Sequence, residues 1–269
     1  VTFDAPEQSA GVRYPLAKSE KAYMSFEPRK GRLRIASYGE TPLLLFKEEV
    51  LLNGELVLDQ KEMTGKGVMF YKEAQLSARD FNFTNSDILS DNAAFALLNR
   101  FSQYGENPLA IQSDEMKAHI NFQTRIGEFI SNGTKRIMFP ANEYYCQMDK
   151  FTWFIDGESL DFKKDKGGET TFESGAGLAK NNFYSTNTKQ DSLQFKSLSA
   201  KYDLKEQLIL CDAVDYIQVG DARIFPDSSR VRIRKAALMD TLKNAQVLAN
   251  YITKFHRFEQ ANLFVAGRM

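Results

Sequence analysis

Apolar and polar residues alternate along much of this chain. Met116-Lys117-Ala118-His119-Ile120-Asn121-Phe122-Gln123 alternates without a fault, and Leu198-Ser199-Ala200-Lys201-Tyr202-Asp203-Leu204-Lys205 repeats the pattern with alanine in the same place. Side chains of an extended strand point to opposite faces in turn, so such runs predict strands with one buried face. They place Met116, Ala118, Ile120 and Phe122 in a core, and Leu198, Ala200, Tyr202 and Leu204 likewise. Lys117, His119 and Asn121 then face water. Strand-like segments recur at 32–37, 43–50, 55–59, 67–71, 75–83, 150–155 and 229–234. Turn signals separate them, among them Asn53-Gly54, Asn132-Gly133, Asp156-Gly157 and Gly220-Asp221.

Two segments depart from that pattern. Between 90 and 104, a capping Ser90 or Asp91 precedes Ala94, Leu97, Leu98 and Phe101 at helical spacing, and Gly105 and Pro108 follow as stop signals, which predicts a helix. Segment 235–250 fits helical spacing through Leu238, Leu242, Ala245 and Ala249, yet it also carries a strand-like echo, and both readings stand. The echo is Ala, a polar residue, then an apolar one: Ala74-Gln75-Leu76, Ala118-His119-Ile120, Ala200-Lys201-Tyr202, Ala245-Gln246-Val247 and Ala261-Asn262-Leu263. Its spacing of roughly 40–45 residues, with one gap of about twice that, lies in the range of repeat architectures. The polar, glycine-containing stretch 165–190 reads as a long loop. The expected fold is therefore mostly β, an elongated repetitive β-solenoid or β-jellyroll stack with minor helix, forming a single segment over 1–269.

Composition supports β: the 21 Phe and 11 Tyr bring aromatics to 12% with the single Trp, and such side chains suit pleated, half-buried surfaces. The 35 basic residues balance 35 acidic ones, so no net field draws the chain to nucleic acid or to an anionic membrane. No apolar run approaches the roughly 18–20 residues that span a bilayer. The chain opens at Val1 without a basic, apolar leader, and reads as a processed or excised segment of a larger protein. Cys146 and Cys211 are the only cysteines; two buried thiols are expected, with a disulfide as the alternative.

Motifs for chemistry are few. His119 reads as a solvated strand histidine, and His256 lacks any partner at ligand spacing, so neither metal nor organic cofactor is expected. Gly65-Lys66-Gly67 resembles a phosphate loop but lacks the following Ser or Thr and the earlier Gly, and reads as a turn. Asp156, Glu158 and Asp161 form an acidic cluster without the alternating ligands of a calcium loop. The run Phe151-Thr152-Trp153-Phe154 reads as core rather than a sugar-stacking platform. Arg230, Arg232 and Arg234 are the candidate anion site, because strand periodicity sets three guanidinium groups on one face with Val231 and Ile233 on the other. Carboxylate neighbours would make that strip an ordinary solvated face. Arg32-Leu33-Arg34 is a smaller copy.

Leu52-Asn53-Gly54-Glu55-Leu56-Val57-Leu58, the stretch 67–83, Ala200-Lys201-Tyr202-Asp203-Leu204 and Gly220-Asp221-Ala222-Arg223-Ile224-Phe225-Pro226-Asp227 together resemble the OstA/LptA type of envelope β-repeat, and segments of the large repetitive envelope proteins of Bacteroidetes-type bacteria. That resemblance implies stacked antiparallel strands in the periplasm or at the cell surface, with lipopolysaccharide as the cargo of the type. The helix candidates depart from it. The expected function is a non-enzymatic structural or binding segment of a bacterial envelope protein, with lipopolysaccharide, anionic glycan or other envelope proteins as partners. A polysaccharide-active β-helix enzyme is the alternative, recognisable if Asp156, Glu158 or Asp161 converges with arginines in one cleft, and a surface adhesin is the third reading.

Overall fold

The computed structural model describes residues 3–5, 8–9, 12–133, 135–164 and 181–265. Most of the loop expected at 165–190 lies outside the described residues. The part within them, 181–190, contains a strand at Phe183–Ser185 and a 3-10 turn at Thr188–Gln190. The chain is mostly β. No α-helix occurs among the described residues, and no helix there is long and apolar enough to cross a membrane. The chain divides into two compact units. Unit 1 comprises 1–100, 113–132 and 154–156, and unit 2 comprises 101–112, 133–153 and 157–269.

Unit 1 opens with β1 (Phe3–Ala5), β2 (Gln8–Ser9), β3 (Val12–Arg13), β4 (Ala17–Ser19), β5 (Ala22–Glu27), β6 (Arg32–Ser37) and β7 (Leu43–Leu45). Four long strands follow, β8 (Val50–Leu58), β9 (Met63–Tyr71), β10 (Ala74–Phe83) and β11 (Asp87–Leu98), then β12 (Leu109–Asn121, in this unit from Ser113) and β13 (Ile126–Ser131). The strands from β8 to β11 form an antiparallel meander, with Val50 opposite Tyr71 at one end of the first hairpin and Leu58 opposite Met63 at the other. On its far edge β8 pairs with β7 through Val50 to Leu52 and with β6 through Glu55 to Leu58. Alternate residues fill the core: Val50, Leu52 and Leu56, then Met69 and Tyr71, Ala74 and Leu76, and Phe95 and Leu97. Met116, Ala118 and Ile120 are buried as the alternation predicts, while Phe122 is half-buried and stacks on Phe46 at 4.0 Å.

Two expected turns are strand interior. Asn53-Gly54 lies within β8 and Gly65-Lys66-Gly67 within β9, with Gly54 directly opposite Gly67. The two backbones come so close that a Cβ on Gly54 would sit 2.0 Å from the Lys66 carbonyl oxygen, and one on Gly67 (φ +135°) 2.3 Å from that of Asn53. Glycine marks close backbone approach here rather than a chain reversal.

The helix expected at 90–104 is also corrected: Asp87–Leu98 is strand, and bends and turns occupy 99–108. Its apolar spacing has a local cause. Ile88 and Ser90 are buried, then Ala93, Phe95 and Leu97, so the alternation slips by one at the exposed pair Asp91-Asn92. A phase slip inside a strand mimics helical spacing over a short window.

In unit 2, β14 (Ile137–Phe139) and β15 (Tyr144–Cys146) precede β16 (Lys150–Phe154, in this unit to Trp153), β17 (Ser159–Lys163), β18 (Phe183–Ser185), β19 (Gln194–Phe195), β20 (Ser199–Asp203) and β21 (Leu208–Asp212). The last strands are β22 (Ile217–Val219), β23 (Ala222–Phe225), β24 (Val231–Ile233), β25 (Leu242–Ala249) and β26 (His256–Leu263). Two antiparallel ladders result, one through β14, β15, β18, β19, β22, β23, β25 and β26, the other through β17, β20, β21 and β24. Phe139 of the first ladder packs on Phe162 and Tyr202 of the second, with ring centroids 5.3 and 5.7 Å away, so the core lies between them. Where the chain leaves β19 for β20, buried Asn182 donates to the Ser197 carbonyl and accepts from its N–H, at 2.8 and 2.9 Å. That pairing satisfies backbone groups that would otherwise be buried alone. The ambiguity at 235–250 resolves to a 3-10 turn at Lys235–Ala237 followed by strand β25.

Candidate functional site

The slip at Asp91-Asn92 has counterparts on both neighbouring strands. On β10 the buried positions Ala74 and Leu76 give way to Phe81 and Phe83, and the register against β9 shifts between Ala78 and Phe81, across Arg79-Asp80. On β12 buried Ser113 is followed by exposed Asp114 and Glu115 and then by buried Met116, with Glu115 at φ +56°. Each slip turns a doublet of polar residues to the face away from the core. Bulges bend a strand and re-aim its side chains; β10 has one against β9, and the slips of β11 and β12 lie on the adjacent strands beside it.

Together with the Gly54–Gly67 apposition they shape an open recess of about 960 Å³ on unit 1. Small residues form its floor: Ala36, Val68, Ser77, Ala78 and Ala94, with Gly54 and Gly67. Charges form its rim: Glu55, Lys66, Arg79, Asp80, Asp114 and Glu115. A second depression of about 400 Å³ shares Glu55, Lys66, Arg79 and Asp80 and reaches Arg34 and Asp91.

Much of this charge is already engaged. Glu55 takes Arg34 at 2.9 Å and Lys66 at 3.4 Å, and Asp80 accepts from the Ser90 hydroxyl at 2.6 Å and the Asp91 N–H at 3.0 Å. Arg79 and Asp114 have no hydrogen-bond or ion-pair partner among the described residues, so a guanidinium and a carboxylate remain on the rim for a ligand. The floor offers apolar contact and one hydroxyl, that of Ser77. No histidine lines either depression.

The arginine strip lies elsewhere, on unit 2, and is paired. Val231 and Ile233 are buried, as strand geometry requires. Arg230 meets Asp212 at 2.8 Å, while Asp240 takes Arg234 through two bonds of 2.6 and 3.2 Å and Arg232 at 3.5 Å. Arg230 and Arg232 line a recess of about 340 Å³ with Asp227, Asp240, Lys243 and Asn244. Two carboxylates thus engage all three guanidinium groups and compensate part of the strip's charge. In the smaller copy, Arg34 bridges Glu27 and Glu55, and Arg32 lies 3.7 Å from Asp59.

The acidic candidates begin in the turn 155–158, which holds Asp156 and Glu158. Asp156 belongs to unit 1, where it binds Lys72 at 2.8 Å and Arg125 at 3.2 Å, with Arg125 also held by Glu49. These residues sit at or beside hairpin turns and line none of the three depressions. Glu158 and Asp161 belong to unit 2. Phe151 and Trp153 are core, and Cys146 and Cys211 are buried and free.

His119 is more engaged than alternation suggests. Its Nε2 lies 2.8 Å from Asp87, and its Nδ1 lies 3.6 Å from Glu128 on the neighbouring strand. Asp87 also accepts from Ser86, Asn121 and Thr84. Burial pushes the Asp87 carboxyl up, but these hydrogen bonds with that of His119 outweigh it and hold the group at about 2. Among the described residues no three His, Cys, Asp or Glu side chains gather as metal ligands. No family model, curated protein or solved structure matches the chain.

Proposed function

We propose that this chain is a non-enzymatic binding segment of a bacterial envelope protein, and that the unit 1 recess holds an anionic amphiphile or glycan of the lipopolysaccharide class. The observation that carries the reading is the alignment of three slips of alternation, one of them a bulge of β10 against β9, around a recess whose rim retains an unpartnered arginine. Its volume is in the range of small-ligand sites, and its floor of small side chains gives a ligand close access to the sheet. Arg79 supplies a charge-assisted contact to phosphate or carboxylate. The groups typical of hydrolysis are engaged in structural pairs: Asp156 with Arg125 and Lys72, His119 with Asp87. The resemblance of 52–58 and 200–204 to envelope repeats supports the same placement at the periplasm or cell surface.

The test is equilibrium binding of purified protein to lipopolysaccharide, and to its separated glycan, at low and physiological salt. Arg79→Ala is expected to weaken binding by about 10-fold, in line with loss of one charge-assisted hydrogen bond. Arg230→Ala, on the paired strip, is expected to leave binding unchanged. Equal binding by wild type and Arg79→Ala, or none by wild type, would refute the assignment.

A further inference from the structure

The charges that line the unit 1 recess do not balance. Two of its charged side chains are basic, Lys66 and Arg79, and four are acidic, Glu55, Asp80, Asp114 and Glu115. Lys66 offsets Glu55, and so does Arg34 from the adjoining depression. Asp80 is held by the Ser90 hydroxyl and the Asp91 N–H, which secure a carboxylate without cancelling its charge. Among the described residues, Arg79 and Asp114 are then a rim cation and a rim anion that lack a partner. The fold sets their spacing. Arg79 is on β10 and Asp114 on β12, and β11 runs between them and brings Asn92 to the same recess. Neighbouring strands lie about 4.7–4.9 Å apart, so two strand spacings, about 9–10 Å, separate the two backbones.

We propose that the recess selects a zwitterionic group, with a phosphate or carboxylate on Arg79 and an ammonium group of the same ligand toward Asp114. A bare anion seated on Arg79 shares the recess with Asp80, Asp114 and Glu115, and like charges so placed repel. An amine beside the acidic group turns the repulsion from Asp114 into attraction. The floor of Ala36, Val68, Ala78 and Ala94 adds no charge of its own, so the rim decides the preference. The inference rests on the binding reading above and narrows its ligand class to members whose acidic group carries an amine. That amine can sit on an alkyl headgroup or on a sugar ring, since the rim reads only the two charges.

Two ligand pairs, each matched except for the amine, test this by equilibrium titration of the full chain. One is lipopolysaccharide with ethanolamine on its phosphates against the same lipopolysaccharide with bare phosphates. The other is glucosamine phosphate against glucose phosphate. Wild type should favour the aminated member of at least one pair by about 3- to 5-fold, the range of an exposed ion pair, and the pair that shows it tells headgroup from sugar. Asp114→Asn should erase the preference by weakening the aminated ligand and strengthening the bare one, whereas a merely loosened recess would weaken both. Asp114→Lys should invert the preference, and Arg79→Ala should weaken both members. A preference for the amine in neither pair, or one unchanged in Asp114→Asn, would overturn the proposal while leaving the binding reading intact. Failure of wild type to bind any of the four ligands would sink both.

Discussion

Replacing Gly67 by alanine tests whether the close approach of β8 and β9 shapes unit 1. The added methyl would meet the Asn53 carbonyl oxygen at 2.3 Å and the Gly54 Cα at 2.7 Å, and both are backbone atoms that no rotamer change can move aside. Residue 67 also has φ +135°, a region costly to a side chain. Overpacking contributes about 1–3 kcal/mol and the backbone conformation about 1–2 kcal/mol, giving about 2–5 kcal/mol in total. With urea m-values of about 1–3 kcal/mol/M, the midpoint should fall by about 1 M or more. The assay is urea unfolding followed by far-ultraviolet circular dichroism. If the two units unfold separately, the transition of unit 1 is the one that shifts. Gly39→Ala serves as the control: Gly39 has φ +57° but open space around its Cβ position, so only the backbone contribution of about 1–2 kcal/mol applies. A Gly67→Ala midpoint within error of wild type, or one no lower than that of Gly39→Ala, would refute the steric argument.

Two further outcomes follow from one partly buried and two fully buried groups. Asp87→Asn should reduce stability by about 1–2 kcal/mol at neutral pH. A depressed carboxyl contributes stability that is present above its unfolded pKa and lost as pH falls through its folded value near 2, so the difference between wild type and variant should vanish in that acid range. Denaturation curves from pH 7 to pH 2 check this, and a deficit unchanged at the acid end would contradict it. Burial pushes the Cys146 and Cys211 thiols up, keeping them protonated and shielded. A thiol reagent should therefore find neither in the native protein and both in denaturant, and prompt native labelling would contradict their placement.

Strands with unbroken alternation were legible locally. Val231 and Ile233 face inward, as do Ala200, Tyr202 and Leu204, because a half-buried strand writes its two faces into neighbouring residues. What surrounds those strands was not. Asp212 and Asp240, which pair with the arginine strip, reach it through β21 and the segment before β25, and no local pattern announces them. Likewise the engagement of His119 depends on Asp87, 32 residues away. The recess was missed for a different reason. Its signal is present as polar doublets at Arg79-Asp80, Asp91-Asn92 and Asp114-Glu115, each separating two alternating runs of opposite phase. Read against a single fixed period, such an interruption looks like a turn or a helix. Allowing one slip per strand would have recovered β11.

The slips also bear on how neighbouring strands recognise one another during folding. A chain built from many similar alternating strands offers each of them several partners of nearly equal merit, and displacement by two residues preserves every inward-facing position. A strand with an interruption removes that degeneracy, because its two halves are in opposite phase and match only a neighbour interrupted at the same height. β10 pairs with β11 on either side of their shared interruption, Ala78 with Ala93 and Asn82 with Leu89, and the two halves cannot both be satisfied after a shift. The irregularity thus works as a key cut into the edge of each strand. Deleting one residue from either doublet would restore ideal alternation to that strand while taking away the feature by which it identifies its neighbour.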